Sequence, residues 1–139
     1  MAVNFFFHNT SNLLKARKRL KLFIIKLFEL EKKQLGSLTY VFCSDEYLLN
    51  INKEFLQHNF YTDIITFNLS SATLIDGEIY ISAERIKENS KHWKVSIEEE
   101  LHRVIFHGAL HLCGYNDKTV ADKATMKEME NKYLKLYLT

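Results

Sequence analysis

The chain contains no proline. Its turns must therefore rely on Gly, Asn, Asp and Ser. There are only two cysteines, Cys43 and Cys113, each inside an apolar run and in no CxxC pair. That argues against a disulfide framework and fits a reducing cytoplasm. The opening stretch, Met1 to Phe7, lacks a basic n-region and a cleavage site, so it does not read as a secretory signal. No apolar run is long enough to span a bilayer. No repeat, low-complexity tract or linker breaks the 139 residues, and we read 1–139 as one domain. The formal net charge of +2 neither demands nor excludes a nucleic-acid partner. Charge placement matters more than the sum.

What the chain does have is apolar bulk. Nearly half of it is hydrophobic, with ten Phe and seven Tyr, enough for a sizeable core. Val3 to Phe7 reads as a short strand. Ser11-Asn12 is a candidate cap for a helix over 13–34, where Leu13, Ala16, Leu20, Phe23, Ile24 and Leu27 recur at helical spacing. Lys15, Lys18, Arg19, Lys26 and Lys33 fall on its other face, read plainly as solvated and more sharply as RNA-contacting. Gly36 is expected to close that helix. A buried strand follows over 38–43, then a helix from Ser44-Asp45 to about Leu56. Asp63 to Leu69 reads as a strand. Asp76-Gly77 reads as a turn pair separating it from a strand over 78–82. Ser82 opens a helix to about His92. Ser96, with Glu99 at capping-box spacing, opens another to about Cys113, where Gly114 stops it. A last helix covers roughly 120–137. The order β-α-β-α-β-β-α-α-α predicts an α/β or α+β domain with a four-stranded mixed sheet packed by helices.

The chemistry concentrates in one segment, His107-Gly-Ala-Leu-His111-Leu-Cys-Gly114-Tyr-Asn-Asp117. Histidines four apart on a helix present both imidazoles on one face, one turn apart, where they can share a metal ion. Gly114 can turn the chain so that Asp117 swings back to that face. Two nitrogens, one carboxylate and an open fourth position form the pattern of catalytic zinc rather than structural zinc. Asp117 is free for the task, because Thr119 and Asp122 already supply a cap for the last helix. Cys113 points to another side of the helix and reads as a reduced core thiol. His102 reads as core or surface. Glu100 lies on the His107 face but about 10 Å away, too far for a direct hydrogen bond. The spacing also matches metzincin peptidases, but those place a Glu base directly after the first His, and here that position is Gly108.

The same segment resembles the YbeY family of bacterial endoribonucleases, whose signature is His-Gly-x-Leu-His-Leu-x-Gly-Tyr followed by Asp-His. His107 to Tyr115 matches it in full. Thr62-Asp63-Ile64-Ile65-Thr66-Phe67 is similar to the family's Thr-Asp-Val-Leu-Ser-Phe strand, and Gly77 to Ser82 to its Gly-Asp-Ile-x-Ile-Ser strand. The resemblance implies a zincin-like α+β fold, one Zn2+ ion and cleavage of single-stranded RNA by a cytoplasmic enzyme. It further implies roles in 16S rRNA 3′-end maturation and ribosome quality control, with the small ribosomal subunit as partner. A monomer is expected. Two departures stand out. Asp117 occupies the place of the family's third histidine, and Leu56 that of an arginine suited to clamping phosphate. His58, Arg85 and Lys118 are the candidates for substrate contact in its stead. Three rivals stay open: a zinc peptidase, a two-His-one-carboxylate iron oxygenase, and a non-catalytic ribosome-associated RNA-binding protein.

Overall fold

A computed structural model describes residues 2–139; Met1, at the head of the stretch read above as lacking a signal, lies outside them. The elements are β1 (Ala2–Phe7), α1 (Arg17–Leu30), β2 (Leu35–Cys43), α2 (Asp45–Leu56), β3 (Ile64–Asn68), β4 (Ile75–Ser82), α3 (Ala83–Trp93), α4 (Ile97–Leu112) and α5 (Val120–Leu138). This is the expected α+β order. The sheet runs β1-β2-β4-β3, with β1, β2 and β4 parallel and β3 antiparallel on the β4 edge.

Alternation along the strands sorts side chains to two faces. Leu38, Tyr40, Phe42, Ile79 and Ile81 join the main core with α1, α4 and α5. Ile65 and Cys43 face the other way, against Leu48 and Ile51 of α2. Helix α4 lies at the centre of the main core, and the Tyr40 hydroxyl donates to the Ile105 carbonyl at 2.9 Å. Among the described residues no helix is long and apolar enough to cross a membrane.

Three local expectations need correction. First, α1 starts at Arg17, not Leu13: Asn12 accepts from the Leu14 amide at 2.8 Å, a local turn that competes with helix, and Ala16 at the N-cap is left-handed. Second, α1 ends at Leu30 and the chain turns through Lys32, at φ 58°, so Gly36 does not close it. Gly36 belongs to β2, where a Cβ would collide with the Asp76 carboxylate. Third, Asp76-Gly77 is no turn, for both lie inside β4. The Asp76 carboxylate accepts from the Ser37 amide at 2.7 Å, and Gly77 leaves room for Leu112 of α4. The actual β3–β4 connection is the 69–74 loop.

Candidate active site

Helix α4 positions the site. Ser96 caps it by accepting from the Glu99 amide at 3.0 Å, and Glu98, Glu99 and Glu100 place negative charge in its first turn. At its far end the Gly114 amide donates to the His111 carbonyl and the Tyr115 amide to that of Leu110. Gly114 itself, at φ 109°, reverses the chain. The reversal brings the Tyr115 carbonyl back over the helix, 3.1 Å from His111 Nδ1. A carbonyl only accepts, so His111 Nδ1 donates to it, and Nε2 is the nitrogen left to face the cleft.

His107 is held in the same way by a different element. Its Nδ1 donates to Glu130 Oε2 of α5 at 2.7 Å, and Glu130 Oε1 accepts from Arg103 at 3.0 Å. His107 Nε2 lies 3.3 Å from Asp117 Oδ2. Burial is the largest influence on His107 and pulls its pKa down. The bond to Glu130 and the charges of Glu130, Asp117 and Asp63 overcome it and raise the pKa above the ordinary histidine value.

His107, His111 and Asp117 line one cleft of about 390 Å³, together with Asp63, Glu100 and Arg103. Among the described residues no three His, Cys, Asp or Glu side chains are gathered tightly enough to form a metal-holding group. The donor chemistry nonetheless fits a zinc-type ion. Each histidine has Nδ1 tied to an acceptor, so that Nε2 is the nitrogen left to face an ion, with Asp117 already beside that of His107. Asp117 is 47% exposed on the loop between α4 and α5, so drawing it inward breaks no packing.

Three carboxylates outside the expected site also line the cleft: Asp63, Glu100 and Glu130. Asp63, just before β3, and Glu100 share the amide of Asn89, at 3.2 and 3.5 Å. Burial raises the pKa of Asp63, with His107 opposing. Burial also raises Glu100, and the Asp63 charge adds to it. Glu130 could have been found from the sequence. It lies among Met126, Tyr133, Leu134 and Tyr137 on the buried stripe of α5, where a carboxylate needs a partner. Asp63 carries no such signal; only the fold turns it toward His107.

The expected substrate residues lie elsewhere. His58 is exposed after α2 and stacks on Phe60 with ring centroids 5.0 Å apart. Arg85 is engaged by Asp45 at 2.7 Å and Glu88 at 3.3 Å. Lys118 is exposed beside Asp117, and Leu56 ends α2 with its side chain partly in solvent. None of these four is among the residues lining the cleft. Cys113 is buried and free.

Gly108 has its own reason to be glycine. A Cβ there would come within 2.8 Å of Ile79 Cδ1 and 3.1 Å of Ile64 Cδ1. A peptidase glutamate at this position would have to displace the methyl ends of Ile79 and Ile64, against which α4 packs.

Comparison with known proteins agrees with this geometry. The family model described as Endoribonuclease YbeY matches residues 7–137. An endoribonuclease YbeY of Flavobacterium psychrophilum is 50% identical over 107 residues, covering 77% of this chain and 76% of that protein. That of Christiangramia forsetii is 40% identical over 135 residues, covering 97% and 94%. Among solved structures, the solution structure of TM1509 from Thermotoga maritima superposes with a TM-score of 0.64 at 28% identity, covering 97% of this chain and 88% of that one. Identity of this order along nearly the whole chain leads to one conclusion: the chain belongs to the YbeY endoribonuclease family, hydrolases that act on RNA.

Proposed function

We propose that the protein is a metal-dependent, single-strand-specific endoribonuclease, acting as a monomer in the cytoplasm, with one zinc-type ion held by His107, His111 and Asp117. We further infer that its substrate is the 3′ end of 16S rRNA on the small ribosomal subunit, and that it serves ribosome quality control. The observation that carries the chemical reading is His107, oriented by Glu130 on one nitrogen and facing Asp117 with the other.

An ion held there supplies Lewis acidity and a nucleophile available near neutral pH. The chain supplies the rest. Glu130 fixes the ring of His107, and the Tyr115 carbonyl fixes that of His111. Asp63, which lines the cleft and whose pKa burial raises, is suited as a carboxylate to take a proton from the attacking water and return it to the leaving oxygen. Ile64 and Val104 contribute apolar surface to the cleft wall. The filled space at Gly108 counts against the peptidase reading, since amide hydrolysis would have to protonate its poor leaving group without that glutamate.

The test is a cleavage assay on matched single-stranded and duplex RNA, with and without chelator, beside His107→Ala. Cleavage of the single strand alone, lost on chelation and in the variant, is expected. Chelator-resistant cutting, or equal cutting by His107→Ala, would remove the metal mechanism. Ribosome binding with no RNA cleavage would favour the non-catalytic reading.

A further inference from the structure

The cleft does not end at the histidines. A larger hollow of about 790 Å³ shares Asp63, Glu100, Arg103, His107, Asp117 and Glu130 with it. This hollow carries the cleft past the end of α3 and along α5, adding Trp93, Lys123 and Lys127 to its walls.

The inner cleft is poorly suited to grip a polyanion. Four of its side chains are carboxylates, namely Asp63, Glu100, Asp117 and Glu130, while Arg103 is bonded to Glu130. The wall that the outer groove adds is less acidic, with Lys123 and Lys127 set against the single carboxylate of Glu99. Lys123 and Lys127 are four apart on α5 and share a face with Glu130, so the two ammonium groups form a stripe that leads toward His107. Among the described residues neither lysine is in an ion pair. Trp93 ends α3 with 65% of its surface exposed. An exposed indole beside two unpaired ammonium groups offers a base its stacking partner and a backbone its counter-charge.

Building on the endoribonuclease reading above, we propose that Trp93, Lys123 and Lys127 form a subsite for unpaired nucleotides flanking the scissile phosphodiester. Trp93 stacks one base, and the lysines neutralise backbone phosphates as the strand leaves the cleft. Single-strand preference then has a physical source here, because duplex RNA keeps its bases stacked within its own helix and offers none to Trp93.

Trp93 is the only tryptophan in the chain, so its emission reports on this groove alone. Stopped-flow mixing of the full chain with a short oligouridylate reads binding before cleavage. We expect quenching by the oligouridylate and none by an abasic sugar-phosphate strand of equal length. Trp93→Ala, read by fluorescence anisotropy of labelled RNA, should weaken binding roughly fivefold or more. Lys123→Gln with Lys127→Gln should flatten the slope of log affinity against log salt by about 1.4, the value for two lost contacts to a single strand. All three sites are on the surface, and unchanged thermal melting checks the fold. Metal-dependent cleavage with a silent Trp93 and an unchanged salt slope would overturn the subsite and leave the endoribonuclease reading standing. Absence of both RNA binding and cleavage would remove both.

Discussion

Glu130 reaches across from α5 to accept the Nδ1 proton of His107 on α4 at 2.7 Å, while its other oxygen holds Arg103 at 3.0 Å. One carboxylate thus orients a candidate metal ligand and joins the two helices that form this side of the cleft. Its burial makes the arrangement costly to break, since removal leaves His107 Nδ1 without its acceptor and Arg103 with Asn131 alone.

Glu130→Ala should therefore weaken metal affinity by about 10–100-fold, the usual effect of losing such a partner. Glu130→Gln keeps an acceptor oxygen and should lose less. Competition titration against a chromogenic chelator measures both. Equal affinity in wild type and Glu130→Ala would show that His107 needs no support from α5.

Asp117 is proposed as the third ligand. Asp117→Ala should sharply lower metal content in the purified protein, and Asp117→His should retain it, because imidazole is an equally competent donor. Cys113→Ala should leave it unchanged. Metal analysis by mass spectrometry decides the matter, and full occupancy in Asp117→Ala would exclude the carboxylate.

Gly108→Glu tests the boundary with peptidases. The side chain would push a carboxylate into the contact between α4 and Ile79. We expect a loss of at least about 3 kcal/mol in urea unfolding, from overpacking and a buried charge together, and no casein cleavage. A stable variant with peptidase activity would mean that α4 can lift from the sheet.

His102 sets a pH dependence of stability. It is buried beside Phe106 and Tyr137, its Nδ1 bonds the Glu98 carbonyl at 2.7 Å, and its Nε2 has no partner. Burial lowers its pKa, opposed by the bond to Glu98, with the Arg19 charge lowering it further. The folded state thus binds fewer protons at this site than the unfolded chain, whose histidine titrates at the ordinary 6.5. Stability should fall as pH drops below 6.5 toward the lowered folded value. His107, whose pKa is raised, acts in the opposite sense: its contribution is full below 6.5 and is lost as pH rises through the folded value. The difference in melting temperature between wild type and His102→Phe across this range isolates His102. A pH-independent difference would show that folding leaves the His102 pKa unshifted.

Much of this was legible beforehand. Ser44, Ser82, Ser96 and Thr119 each cap the helix expected of them, because a hydroxyl accepting from an amide three residues on is a local event. The one helix placed wrongly at both ends, α1, has no side-chain cap at its start. Gly36 and Gly77 depart from expectation for a related reason. In a linear reading glycine signals a turn, whereas these two serve close approaches to Asp76 and Leu112, which come from distant parts of the chain.

The site divides along the same line. Spacing alone put His107 and His111 on one helical face and Gly114 at its end, because 3.6 residues per turn and a left-handed glycine are properties of a few neighbouring residues. The partners of those histidines come from α5, from the loop after α4 and from the residue before β3. Only packing could bring Glu130 and Asp63 to His107, and only packing could close the space beside Gly108, because contacts across the sheet and between helices depend on chain segments that no local pattern relates.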